Sequence, residues 1–267
     1  MLNLIGLRKK LCQILIACLE QFKLLQMNII FKKLIMENKF FSPLIITGSS
    51  QGIGKSLIDY LKEKKVITIG ISRTGSCESD FSLKGDVGDY ESLKKVYKEI
   101  KNQSLLPKGL INCAGIASMN LALTTPPAIV RNVIQTNLIG TIYSCQIFSP
   151  FLIKAGNGRI INFSTIAVGI GLKGESIYAA SKSGVETFTK ILAKELSNFS
   201  ITANCIAPGP IQTNLLKGIR DKQIQEIIKK QIINKKFTKQ DICKVVDLIL
   251  SEEASSITGE VINIGGL

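Results

Sequence analysis

A chain of 267 residues with 45% hydrophobic and 20% charged side chains can bury a sizeable core, and these proportions exclude a disordered polymer. The absence of histidine excludes Ser-His-Asp and Cys-His catalysis, HExxH zinc sites and imidazole proton shuttles. The formal net charge of +14 comes from lysines spread through helical segments without interleaved aromatic residues, so we expect no nucleic-acid partner. The seven cysteines form no CxxC pair, which indicates reduced thiols and no metal site.

Residues 1–41 differ in character from the rest of the chain. Arg8, Lys9 and Lys10 precede the apolar run Leu11–Leu19, which is too short to span a bilayer. Two interpretations stay open: a targeting segment such as a transit peptide, or a mis-assigned start with Met27 or Met36 as the first residue. We predict an N-terminal extension over 1–41, a folded domain over 42–267 and no transmembrane segment.

From residue 43 onward, apolar strand-like runs alternate with helical patterns. The predicted strands are Leu44–Ile46, Val66–Ile71, Gly109–Cys113, Arg159–Phe163, Ile201–Ile206 and Glu260–Ile264. The predicted helices are Lys55–Lys65, Tyr90–Asn102 capped by Asp89, a stretch from Pro126 towards Lys154, Ser176–Phe199 and Lys239–Ser251. This alternation predicts one α/β domain of Rossmann type, a doubly wound parallel sheet with helices on both faces. In such sheets the ligand lies beyond the carboxyl ends of the strands.

A glycine turn connects the first strand to the first helix, with the sequence Thr47-Gly48-Ser49-Ser50-Gln51-Gly52-Ile53-Gly54. Glycines at such a turn let the backbone bend sharply and approach a pyrophosphate, which then rests on the helix N-terminus. The turn therefore indicates a dinucleotide site.

The TGxxxGxG spacing of this turn resembles the short-chain dehydrogenase/reductase family. The resemblance continues in the family's order along residues 43–267, through the segments Asn112-Cys113-Ala114-Gly115, Thr136-Asn137-Leu138-Ile139-Gly140, Tyr178-Ala179-Ala180-Ser181-Lys182, Pro208-Gly209 and Ile257–Gly266. Within the family the chain most resembles the 3-oxoacyl-[acyl-carrier-protein] reductases.

The resemblance implies a nicotinamide cofactor, and we expect NADP(H) in preference to NAD(H). NAD-specific members carry an acid where this chain has Ser72, and the next residue, Arg73, suits a 2′-phosphate because a guanidinium forms bidentate charged hydrogen bonds. Gln51 departs from the pattern, since NADP-dependent relatives often have arginine there. The predicted cofactor-binding residues are Gly48, Ser50, Gln51, Gly52, Ile53, Gly54, Ser72, Arg73, Asp86, Val87, Asn112, Ala114, Gly115, Tyr178, Lys182, Pro208, Gly209, Ile211 and Thr213.

Tyr178 and Lys182 are the predicted acid/base pair. Residues four apart on a helix share a face, so both side chains can project into one site. We expect the Lys182 ammonium to lower the pKa of Tyr178, and the resemblance implies that Lys182 also binds the nicotinamide ribose. The resemblance further implies that Asn137 holds a water of the proton relay. Tyr178 would donate a proton to the carbonyl oxygen as hydride arrives at the carbon.

The hydroxyl partner of Tyr178 departs from the family pattern. The family's catalytic serine lies 13 residues before the tyrosine, and that position here is Thr165. A threonine hydroxyl can donate the same hydrogen bond. Two alternatives stay open: the neighbouring Ser164 supplies the catalytic hydroxyl, or the catalytic site is impaired.

The predicted function is that of an NADP(H)-dependent oxidoreductase (EC 1.1.1.-) that reduces a carbonyl to an alcohol or catalyses the reverse. A 3-oxoacyl thioester of fatty acid biosynthesis, on acyl carrier protein or CoA, is one candidate, because residues 210–240 carry eight basic and two acidic side chains. The alternatives are a sugar or polyol dehydrogenase and a catalytically weak, cofactor-binding regulatory protein. The resemblance implies a homotetramer or homodimer. We expect a cytoplasmic location, or an organellar one if residues 1–41 are a transit peptide.

Overall fold

The computed structural model describes residues 42–75, 77–212 and 221–267. All of them lie within one compact unit, Phe40–Leu267. The predicted extension over 1–41 lies outside the described residues and stays a prediction.

The described elements follow the predicted alternation of strands and helices. The strands are β1 (Leu44–Thr47), β2 (Thr68–Ser72), β3 (Phe81–Lys84), β4 (Gly109–Asn112), β5 (Gly158–Phe163), β6 (Ile201–Ala207) and β7 (Val261–Asn263). The helices are α1 (Gly52–Glu63), α2 (Tyr90–Asn102), α3 (Pro127–Ile134), α4 (Gly140–Ala155), α5 (Ala167–Ile170), α6 (Ser176–Glu195), α7 (Asp221–Lys229) and α8 (Lys239–Leu250). The predicted cap of α2 is confirmed, since the Asp89 carboxylate accepts hydrogen bonds from the backbone N–H groups of Glu91 and Ser92.

The described strands form one seven-stranded sheet in the order β3-β2-β1-β4-β5-β6-β7, and every neighbouring pair is parallel. The strand order reverses between β1 and β4, where Thr47 is in register with Asn112. This doubly wound topology confirms the predicted fold class and brings the carboxyl ends of the central strands to one edge of the sheet.

Helices cover both faces of the sheet. On one face, apolar residues of α1 and α8, including Leu57, Leu61 and Val246, form one cluster with Ile46 of β1 and Ile111 of β4. Because strand side chains alternate, the intervening strand residues face the second layer. There Tyr97 of α2 stacks on Phe151 of α4, with ring centroids 4.4 Å apart.

Strand β3 is absent from the sequence-based prediction. It is an edge strand with only one buried residue, Leu83, so it carries no apolar run. The connection from β2 to β3 spans only residues 73–80, and its described residues contain no helix, whereas parallel strands usually need a helical crossover. This connection lies directly on β2, since a Cβ on Gly70 would come within 2.4 Å of the Cys77 sulfur.

The predicted long helix from Pro126 is interrupted by a π-helical turn, Gln135–Ile139, between α3 and α4. Taken together with this turn, the segment Pro127–Ala155 is long and apolar enough to cross a membrane by length and composition, yet half of its most apolar stretch is buried inside the fold. The core helix of a Rossmann-type domain meets the same description, so this feature is weak evidence for a span.

Candidate active site

A cavity of about 390 Å³ opens at the carboxyl edge of the sheet, as the doubly wound topology requires. Segments that follow β4, β5 and β6 supply its walls, together with the start of α6. Its lining consists of Ile53, Cys113, Gly115, Ile116, Ala117, Ser118, Met119, Phe163, Ser164, Thr165, Ile166, Ala167, Leu172, Glu175, Tyr178, Lys182, Pro208, Gly209, Pro210, Ile211 and Ile227. Of the predicted site residues, Thr213 lies outside the described part of the chain.

The glycine turn has the geometry of a pyrophosphate cradle. Gly48 has φ +69°, and a Cβ there would lie 2.7 Å from the Ala114 nitrogen, while a Cβ on Gly54 would lie 2.4 Å from the Gly48 oxygen. Both positions therefore accept only glycine. Gly52, at the start of α1, has φ +64° and nothing within 4 Å of a Cβ position. A dinucleotide fits here, because the backbone above Gly52 is open and the N-terminus of α1 points at that space.

Asn112 ties three strands together beneath this turn. Its side-chain amide donates to the Asn162 oxygen at 2.8 Å, and its oxygen lies 3.5 Å from the Thr47 hydroxyl. The same hydroxyl accepts a hydrogen bond from the Ala114 N–H. The Asn112 side chain, predicted to bind cofactor, is thus used inside the fold, while the Thr47 hydroxyl holds the loop Cys113–Gly115 at Ala114.

Asn137 lies in the π-helical turn and is fully buried. Its oxygen accepts from the Ile116 N–H at 2.8 Å, and its amide donates to the Ile116 oxygen and to the Ser181 hydroxyl. Asn137 therefore connects the loop after β4 to the helix that carries Tyr178 and Lys182. π-Turns inside helices are frequent at functional sites, where they redirect a backbone carbonyl.

The two candidate hydroxyls both line the cavity but have different partners. Thr165 accepts a hydrogen bond from the Ala167 N–H at 3.2 Å, whereas Ser164 donates to the carboxylate of Glu186 on α6. Burial raises the pKa of Tyr178, the negative charge of Glu175 adds to the increase, and the Thr165 hydroxyl partly offsets it. The predicted lowering of the Tyr178 pKa by Lys182 is therefore not found, because desolvation of the phenolate dominates.

Lys182 lies deep in the site, one helical turn after Tyr178. Its ammonium group donates to the Phe163 carbonyl oxygen at 2.7 Å, at the end of β5. Burial lowers the pKa of Lys182 from 10.5 to about 8. A Cβ on Gly115 would lie 3.5 Å from this ammonium and 3.3 Å from the Asn137 oxygen, so Asn137 and Lys182 flank the same glycine.

The end of β2 shows what the chain offers to the adenosine end of a dinucleotide. Ser72 is buried and accepts a hydrogen bond from the Gly75 N–H, while Arg73 is exposed and forms none of the ion pairs among the described residues. Asp86 accepts from the Gly88 N–H, and Val87 packs against the Gly140 backbone. Among the described residues, the strand end therefore presents an exposed guanidinium and no carboxylate.

The sequence-based prediction did not include two residues that line the cavity, Cys113 and Glu175, or Glu186, which accepts a hydrogen bond from the cavity residue Ser164. Glu186 follows Lys182 by four residues, so its helical spacing could have placed it on the same face. Cys113 replaces a residue of a recognised motif and lines the cavity. Glu175 carries no motif, and only the tertiary structure brings its carboxylate into the cavity.

Comparisons with known proteins agree with this architecture. A model of the family described as Enoyl-(Acyl carrier protein) reductase matches residues 55–266. The chain is 33% identical over 231 residues to a 3-oxoacyl-[acyl-carrier-protein] reductase of Buchnera aphidicola subsp. Schizaphis graminum, covering 83% of this chain and 95% of the relative.

Two solved structures extend the comparison to other substrates. The aldohexose dehydrogenase of Thermoplasma acidophilum has a TM-score of 0.76 at 26% identity, covering 86% of this chain and 94% of the other. A 4-hydroxyisoleucine dehydrogenase complexed with NADH has the same TM-score and identity, covering 84% and 98%. The chain is an oxidoreductase that belongs to the short-chain dehydrogenase/reductase family.

Proposed function

We propose that the protein is an NADP(H)-dependent carbonyl reductase with Tyr178 as its acid and Thr165, Lys182 and Asn137 as its partners. The observation that carries this proposal is that Thr165, Tyr178 and Lys182 line one cavity at the carboxyl edge of the sheet. The glycine turn opens towards the same edge of the sheet, so a dinucleotide and a carbonyl compound can meet there.

The residues of the site support the reductive direction. A bound reduced nicotinamide supplies the hydride to the carbonyl carbon. The raised pKa of Tyr178 keeps its phenol protonated near neutral pH, so the hydroxyl can give its proton to the carbonyl oxygen. Thr165 donates a hydrogen bond to the same oxygen, and the Lys182 ammonium stabilises the phenolate that forms.

The positive charge at the end of β2 supports a preference for NADP(H). A carboxylate at this place would grip a ribose 2′-hydroxyl, but the chain has Ser72, and the exposed Arg73 guanidinium can pair with a 2′-phosphate. Arg73→Ala should raise the Kd for NADPH about tenfold or more and leave that for NADH unchanged, since charged hydrogen bonds contribute about 1.5–3 kcal/mol. Arg131→Ala on α3 removes the same charge elsewhere and serves as the control. Equal losses of NADPH and NADH affinity would overturn the preference.

A 3-oxoacyl thioester is the first substrate candidate, because the Buchnera relative is a 3-oxoacyl-[acyl-carrier-protein] reductase. The cavity wall is largely apolar, with Met119, Leu172 and Ile227 among its residues, which suits an acyl chain. Exposed lysines at the end of α7 and after it, including Lys229, Lys230 and Lys236, could attract an acidic carrier. A sugar or polyol is the second candidate, favoured by the structural similarity to an aldohexose dehydrogenase.

The test measures NADPH oxidation with acetoacetyl-CoA and NADP⁺ reduction with a panel of hexoses and polyols. Turnover of the thioester that Tyr178→Phe lowers about 100-fold or more, with NADPH binding retained, would support the proposal. Turnover of a hexose alone would favour the second candidate. Unchanged turnover in Tyr178→Phe would overturn the assignment of the acid.

A further inference from the structure

Glu175 places a carboxylate in the cavity three residues before Tyr178. Its backbone is held in place, because its N–H donates to the Leu172 oxygen and the neighbouring Gly174 oxygen accepts from the Asn120 N–H at 2.8 Å. Glu175 occupies the N-cap position of α6, where a side-chain oxygen commonly accepts from the first turn. Its carboxylate makes no such bond and lines the cavity instead.

No cation among the described residues pairs with the Glu175 carboxylate. Burial alone raises the pKa of this group. Glu175 and Tyr178 line the same cavity, and the charge of Glu175 raises the pKa of Tyr178. A partly desolvated carboxylate without a donor is costly to keep, unless a ligand supplies the hydrogen bond.

We infer that Glu175 determines substrate specificity: its carboxylate accepts a hydrogen bond from a hydroxyl or ammonium group that the substrate carries beside the reacting carbon. The same charge disfavours substrates with an anionic group at that place. This inference rests on the proposed carbonyl reductase activity and, within it, favours the hydroxyl-bearing second candidate over the 3-oxoacyl thioester, which has no donor beside its ketone carbon. The physical reason is that a polar site rejects an analogue that leaves its hydrogen-bonding group unpaired.

The test compares four small ketones that differ at one position: hydroxyacetone, aminoacetone, butanone and acetoacetate. The full-length wild type, Glu175→Gln and Glu175→Met are assayed with NADPH, and Glu195→Gln, an exposed charge change at the far end of α6, is the control. In the wild type we expect kcat/KM for hydroxyacetone and aminoacetone to exceed that for butanone about tenfold, with acetoacetate the poorest substrate.

The two variants separate charge from hydrogen bonding. Glu175→Gln should keep the preference for the hydroxyl, lose most of that for the ammonium group and accept acetoacetate about tenfold better, because an amide oxygen still accepts but carries no charge. Glu175→Met should lose both preferences. If Glu175→Met lowers kcat/KM for all four ketones by one factor, or leaves their ranking unchanged, the inference is wrong.

A binding measurement keeps this inference separate from the proposed function. If the wild type reduces none of the four ketones, the proposed activity on such carbonyls fails, and calorimetric titration in the presence of NADP⁺ decides on Glu175. Tighter binding of hydroxyacetone and aminoacetone than of butanone, abolished in Glu175→Met, would support the inference. Binding that is equal for all ketones, or absent for all, would overturn it.

Discussion

At the scale of single residues, the structure gives different partners to two neighbouring hydroxyls. The sequence alone left open which of them assists Tyr178. Ser164 and Thr165 follow β5 directly, and both line the cavity. The Ser164 hydroxyl is used in its hydrogen bond to Glu186 on α6, while the Thr165 hydroxyl acts on the pKa of Tyr178. We propose that Thr165 fills the role of the family's serine.

Substitutions at the two positions should have different consequences. Thr165→Val keeps the side-chain shape and removes the hydroxyl, so we expect kcat to fall about 100-fold with the Kd for NADPH unchanged. Thr165→Ser should stay close to the wild type. Ser164→Ala should keep turnover but cost about 1–3 kcal/mol of unfolding free energy, because Glu186 loses its donor. Steady-state kinetics and urea unfolding check both, and a larger kinetic loss in Ser164→Ala would contradict the assignment.

Lys182 links the site to the pH dependence of stability. Its pKa falls from 10.5 to about 8 on folding, so between these values the unfolded chain binds more protons than the folded one. The free energy of unfolding of the wild type should therefore rise relative to that of Lys182→Met as the pH increases from 8 to 10.5, by on the order of 3 kcal/mol in total. Below pH 8 the difference should be constant, since both states hold the proton.

Denaturant unfolding at several pH values measures this difference. Lys190→Met, an exposed position on the same helix, is the control and should show no comparable trend, because its ammonium group stays hydrated in both states. If the wild type instead loses stability relative to Lys182→Met between pH 8 and 10.5, the lowered pKa of Lys182 is wrong.

At the scale of elements, the glycine turn needs a left-handed backbone conformation and a surface that a dinucleotide can approach closely. Gly52 and Gly156 offer a matched comparison, since both have positive φ, +64° and +81°, and nothing within 4 Å of a Cβ position. Only Gly52 lies at the start of α1, whereas Gly156 ends α4.

Alanine at either glycine should therefore lower the unfolding free energy by about 1 kcal/mol through backbone strain. Only Gly52→Ala should also weaken NADPH binding, about tenfold or more, because its methyl group would occupy the space proposed for the pyrophosphate. Fluorescence titration with NADPH measures this. Equal affinity in the two variants would exclude the proposed cradle.

Elements with a clear local sequence pattern were predicted, and two elements without one were not. Strands buried on both sides, such as β1 and β5, and capped helices such as α2 carry clear periodic or capping signals, and their prediction is confirmed within one or two residues. The edge strand β3 and the π-helical turn Gln135–Ile139 were not predicted. Their local sequences contain no distinguishing pattern, because pairing with β2 and contacts of Asn137 with Ile116 define them.

At the scale of the whole molecule, the described fold starts with β1, and every strand that frames the cavity follows it. We propose that residues before Met36 are dispensable for this fold. A chain that begins at Met36 should keep the NADPH affinity and turnover of the full chain, with a melting temperature within about 3 °C, a change that corresponds to about 1 kcal/mol. Loss of soluble protein or of cofactor binding would show that the segment contributes to folding. The predicted oligomer and cellular location stay predictions.

The sequence by itself determined the α/β class, the place of the glycine turn and the projection of Tyr178 and Lys182 into one cavity, because each depends on short-range periodicity, spacing or backbone freedom. The tertiary structure decided which of two hydroxyls bonds to Glu186, that Asn112 holds strands together, and that burial raises rather than lowers the pKa of Tyr178. It also brought Glu175 into the cavity. These outcomes depend on which segments the sheet order brings together and how much water they exclude, and neither is encoded in any local stretch of the chain.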